Sequence, residues 1–93
     1  MTEAERLILL KKDLQRLTPA NDDYLKFLLR AAEANILREG IKLDEGIESD
    51  MVIIQYAAYL FRKRAGEDTT MPRFLRLELN NMKISQKGKG NDV

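Results

Sequence analysis

Residues 51–61 read MVIIQYAAYLF, and the reading of this stretch decides the fold. Ser49 stands in front of it as a good N-cap, since its hydroxyl can accept from an orphan backbone N–H. Behind it come Arg62, Lys63 and Arg64, cations placed where they offset the negative end of a helix dipole. Gly66 follows just past the expected helix end. The spacing predicts a helix from Asp50 to Ala65. It is apolar almost all round, and a helix of that kind is normally surrounded by others. Gln55 interrupts it, and it is far too short to span a bilayer. Met51, Ile54, Tyr56, Tyr59 and Phe61 are its candidates for core or for subunit contacts, because a small bundle leaves one side of such a helix available to another subunit.

Working upstream, Leu25, Leu28, Leu29, Ala32 and Ile36 form one helical face between Asp22 and Glu39, with Tyr24, Phe27, Ala31 and Ala34 widening it. Asn21 is its expected N-cap and Gly40 its expected left-handed end. Before it, Leu7, Leu10, Leu14 and Leu17 step by three or four, with Ile8 and Leu9 expected to widen the stripe, which predicts a helix from Glu3 to about Leu17. Thr2 and Glu5 have capping-box spacing at its start, and Thr18–Pro19 breaks it. Residues 40–48 read as a connector in which Ile41 and Leu43 allow a short extended piece and Gly46 marks a turn.

Downstream, a fourth helix is expected from near Met71, with Thr70 as N-cap and Pro72 in its first turn. Phe74, Leu75, Leu79 and Met82 are its expected stripe, and Asn80–Asn81 its expected end. The remaining SQKGKGNDV has too little apolar content to offset its own ordering entropy. The reading is therefore all-α: a small bundle of about four helices over residues 1–84, with a flexible C-terminal docking tail at 85–93.

Composition excludes much chemistry. The 93 residues include no Cys and no His, so the usual nucleophile–base pairs, zinc clusters and disulfides are ruled out. The scattered glycines match no phosphate-binding loop. The carboxylate pairs Asp22–Asp23 and Asp44–Glu45 sit where a helix start and a turn explain them. No catalytic residue, cofactor or metal is expected, and the chain does not read as an enzyme. Neither a signal peptide nor a membrane span is expected. Charge is uneven: residues 1–50 carry 8 Lys/Arg and 11 Asp/Glu, and residues 51–93 carry 8 and 4. That polarity could align subunits head to tail or steer an anionic partner. Arg62, Lys63, Arg64, Arg73 and Arg76 are the candidates for a subunit interface or for charge facing DNA. With no base-reading element, any DNA contact is expected to be weak and non-specific.

Three segments taken together, KKDLQRLTPANDDYLKFLLRAAEANILREGIKL, SDMVIIQYAAYLFRKRAG and MPRFLRLELNNMKISQKG, carry a resemblance. Over residues 10–88 the chain resembles the small head–tail connector proteins of tailed phages and prophages, the adaptor or head-completion family that docks under the portal. The closing segment is the most specific part. The resemblance implies a structural protein of the virion neck that assembles in the host cytoplasm as a homo-oligomeric ring after DNA packaging. Its implied partners are the portal protein and the next neck or tail protein. Carried over residue by residue, Asn80, Asn81, Ser85, Gln86 and Lys87 match the family's docking segment, and Lys83 lies within it. A small helical DNA-binding regulator and a helical protein-interaction module remain the alternatives. Strong salt-dependent affinity for duplex DNA would favour the first.

Overall fold

The structure, a computed structural model, describes residues 1–15, 21–66 and 70–90, the last four as backbone only. Four helices follow in order: α1 (Glu3–Leu14), α2 (Asp22–Arg38), α3 (Ile47–Arg64) and α4 (Arg73–Gly90). The all-α bundle expected from the sequence is the fold. No helix among the described residues is long and apolar enough to cross a membrane.

The capping box opens α1 as the spacing required: Glu5 N–H donates to Thr2 Oγ1 at 3.1 Å, and Thr2 N–H donates to Glu5 Oε1 at 2.9 Å. The bond from the Thr2 N–H, followed by the nearby Thr2 hydroxyl, favours the carboxylate and holds the Glu5 pKa below its usual value. The helix ends earlier than expected, because Gln15 takes a left-handed conformation (φ 58°) and its N–H closes back onto Lys11 and Lys12. Leu17 and the Thr18–Pro19 break lie outside the described residues. In α2 the five residues of the expected stripe are all buried. Asn21 precedes the helix but makes no side-chain cap bond. Gly40 has φ 91°, the conformation its position called for.

The start of α3 differs from the expectation. It begins at Ile47, and Ser49 is a buried first-turn residue instead of a cap. The reason lies in the connector, which folds back on itself without forming a strand. Asp44 Oδ1 accepts from Gly46 N–H at 2.7 Å and from Ser49 Oγ at 3.1 Å, while Asp44 N–H donates to Ser49 Oγ. Asp50, expected at the helix start, is 2% exposed and accepts from Arg6 Nε at 2.8 Å, tying α3 to α1.

Packing follows from these registers. The central helix contacts α1, α2 and α4, as its nearly all-round apolar character required. Val52, Ile53, Ala57 and Ala58 are essentially dry, and Leu10 of α1, Leu25 and Ile36 of α2, and Leu75 and Leu79 of α4 close around them. Each large aliphatic side chain so buried contributes about 1.5–3 kcal/mol by transfer alone.

The last helix departs most from the expectation. Its first backbone bonds, from Leu75 and Arg76, go to the Pro72 carbonyl, so it starts after Pro72 and not near Met71. Nor does it stop at Asn80–Asn81, since it runs to Gly90 and includes residues 85–90 of the expected tail. The buried register is Leu75 and Leu79, continued by half-buried Met82 and Gln86 at helical spacing. Phe74, one position off that register, is 60% exposed and does not belong to the stripe.

Candidate functional site

The C-terminal half of α4 lies along the connector, and polar bonds hold it there. Gln86 Nε2 donates to the Lys42 carbonyl at 2.8 Å, and Lys42 N–H donates to Gln86 Oε1 at 2.7 Å. This side chain satisfies both backbone groups of one connector residue, as a neighbouring strand would. One turn earlier, Lys83 Nζ is 2.7 Å from Glu39 Oε1. Two turns before Lys83, Arg76 grips the same carboxylate with both terminal guanidinium nitrogens, at 2.8 and 3.3 Å. The Arg76 bond, then Lys83, holds the Glu39 carboxyl below its usual pKa against the opposing effect of burial. Glu39 in turn raises the Arg76 pKa.

Of the expected docking residues, Asn81, Ser85 and Gln86 come together along a groove of about 490 Å³ between α4 and the connector, with Glu48, Ser49 and Glu78 on its walls. Lys83 is committed to Glu39, and Gln86 to Lys42. Asn80 is half-buried. Lys87 is in the helix, but its side chain lies outside the described residues. The freely presented amide and hydroxyl of that strip are therefore those of Asn81 and Ser85, which are both exposed.

The expected cations are divided among separate duties. Arg62 reaches Asp13 at 3.4 Å, Lys63 lies 5.8 Å from the centre of the Tyr59 ring, and Arg76 belongs to the Glu39 cluster. Arg64 and Arg73 are exposed. The apolar candidates divide as well. Ile54 and Tyr56 are in the core, where burial pushes the Tyr56 hydroxyl pKa up. Tyr59 and Phe61 pack against that core half-buried, whereas Met51 is 50% exposed and is not a core residue.

Among the described residues, two open clefts have largely apolar linings. The first joins α3 to α4: Met51 and Phe74 flank a cleft of about 250 Å³ with Val52 at its base and Glu48 and Glu78 at its edges. The second joins α2 to the other end of α3. There Phe27, 62% exposed, stands with Tyr24, Ala31 and Leu60 around a groove of about 430 Å³ edged by Lys63 and Arg64. The two surfaces share no residue. Sequence reading placed Phe27 and Phe74 on apolar faces, and the available signal against this was register, since each is one position from a buried Leu. No signal announced the Gln86–Lys42 clamp, although Gln86 falls on the Leu75–Leu79–Met82 spacing.

Among the described residues no group of Asp and Glu could hold a metal ion. No family model, curated protein or solved structure matches this chain.

Proposed function

We propose that this chain is a structural subunit of a phage or prophage head–tail connector. In this reading it assembles as a ring under the portal, extends the DNA channel and links the head to the next neck component. The observation that carries the reading is the pair of open apolar surfaces with no residue in common. Exposed apolar surface of this kind marks contact sites. A closed ring of heterologous contacts needs two different patches on every subunit. The sequence resemblance supplies the setting, and the last helix supplies a second kind of surface. Its outward strip, with Asn81 and Ser85, offers both donors and acceptors to the portal. Any contact with the passing DNA is weak and made to phosphates.

The test is reconstitution with a phage portal protein. Electron microscopy of the mixture is expected to show an added ring of density beneath the portal. Removal of residues 84–93 is expected to abolish attachment while leaving the α1–α3 core folded. A portal that stays bare in the presence of the intact chain would overturn the reading, as would normal attachment of the truncated one. Sequence-selective retardation of a short DNA duplex at physiological salt would put the regulator alternative first.

A further inference from the structure

The two open surfaces differ in the charges around them, and the difference is complementary. Met51 and Phe74 are bordered by Glu48 and Glu78; Phe27 and Leu60 are bordered by Lys63 and Arg64. They lie at opposite ends of α3, about 18 Å apart along its axis at 1.5 Å per residue. We infer that the occupant of each is the other surface on a second copy of this chain. Phe74 and Met51 of one subunit enter the groove beside Phe27 and Leu60 of the next, with Glu48 and Glu78 facing Lys63 and Arg64.

Three physical points support this pairing over others. A two-fold dimer through the acidic-edged surface would set Glu48 and Glu78 against their own copies. One through the basic-edged surface would do the same to Lys63 and Arg64, and like-charge juxtaposition of this kind rejects a partner. A head-to-tail arrangement matches sign to sign, and that arrangement propagates to a closed ring or an open filament. The apolar parts also fit. Phe74 is a 60% exposed knob, and the groove beside Phe27 has room for an aromatic ring. Finally, Glu48, Lys63 and Arg64 are exposed and Glu78 is half-buried, so these charges remain available to a neighbour. The inference names the interface of the ring proposed above and rests on that reading for its setting, but not for its residues.

A charge-swap experiment on the full chain tests it by sedimentation velocity. The parent protein is expected to self-associate, less so as salt screens the bordering charges. The double variants Glu48→Lys/Glu78→Lys and Lys63→Glu/Arg64→Glu are each expected to be monomeric, with helical circular dichroism equal to the parent. Mixing the two should restore assembly, because every contact between unlike copies is again opposite in sign. As an independent check that leaves the charges alone, Phe74→Ser and Phe27→Ser should each weaken assembly by about tenfold or more, as loss of an interface anchor does. A parent chain monomeric at about 1 mM, the limit of weak affinity, overturns the inference. So does a mixture that stays monomeric, which is the result expected if a foreign helix occupies either surface. Rings on the portal that ignore all four variants overturn this interface and leave the connector reading standing. Charge-dependent self-association without portal binding does the reverse.

Discussion

The α1–α3 core and the last helix are held by different physics. In the core, apolar side chains from three helices close on one another, and one of the polar ties between them, Arg6 to Asp50, is almost dry on the carboxylate side. Lys11–Asp22, Arg30–Glu3 and Arg62–Asp13 lie nearer the surface. The last helix inserts Leu75 and Leu79 beside α3, and beyond them it relies on Arg76, Lys83 and Gln86 bonding to Glu39 and Lys42. Burial contributes by area and is not weakened by ionic screening, whereas part-exposed polar ties contribute about 1 kcal/mol or less each and are screened. The core is therefore expected to unfold as one unit. The far half of α4 is expected to open locally at much lower cost.

The strongest test of that contrast is truncation in the core. Leu10→Ala or Ile53→Ala removes a side chain that is at most 1% exposed, and about 3–5 kcal/mol of stability should be lost. At about 4–8 °C per kcal/mol for a domain of this size, the thermal midpoint should fall by well over 10 °C. A shift of only a degree or two would mean that α3 is not the centre of the bundle.

Next comes Asp50→Ala. Breaking a fully buried pair costs about 3–5 kcal/mol, but Arg6 keeps some access to water, so about 2 kcal/mol is expected. The loss should appear in the same global transition as Leu10→Ala. A loss confined to the first turns of α1 would show that the pair is a local latch instead.

Leu79→Ala should separate the two regions. It removes a dry α4 contact with α3, and the cost of about 2–4 kcal/mol should fall first on α4. Hydrogen exchange is the measurement: amides of α4 should lose protection while those of α2 keep theirs. Equal loss in both would merge the regions into one cooperative unit.

The smallest effects concern the polar ties. Gln86→Ala should cost about 1 kcal/mol, visible as faster exchange of the Lys42 amide with little change in the thermal midpoint. Glu39 gives a pH test. Its folded pKa lies below the ordinary value of 4.5, so its contribution is fully present above pH 4.5. It should be lost as the pH falls below that value and the carboxylate takes up a proton. Protection of the far half of α4 should thus be level from neutral pH down to about 5 and weaken below about 4.5. Glu39→Gln should flatten this dependence. An unchanged acid profile in that variant would assign the acid sensitivity to other carboxylates.

How far the sequence carried the fold depends on how local the responsible interactions are. The capping box at Thr2–Glu5, the left-handed Gly40, the Leu7–Leu10 register of α1 and the stripe of α2 involve residues within one or two turns of each other, and all were legible. Ile8 and Leu9, expected to widen the α1 stripe, are instead exposed. The Ser49 cap was misplaced because the side chain answers to Asp44 in the connector. The helix end at Asn80–Asn81 was misplaced because Lys83 and Gln86, which hold the helix beyond it, have partners some forty residues away. Of the candidate site, the sequence named Asn81, Ser85, Met51, Lys63 and Arg64, but it did not separate them into surfaces or bring in Phe27 and Phe74.

By itself the sequence determined an all-helical chain with a central apolar helix, because helical periodicity and caps are set by neighbours along the backbone. Only the tertiary structure decided which faces meet. Arg6 and Asp50 stand 44 residues apart, as do Lys42 and Gln86, and nothing in the spacing of one partner encodes the position of the other. The same is true of Phe27 and Phe74, which have the composition of core residues. Each was left in water because the helix carrying it turned the adjacent leucine inward, and a rigid helix can bury only one face.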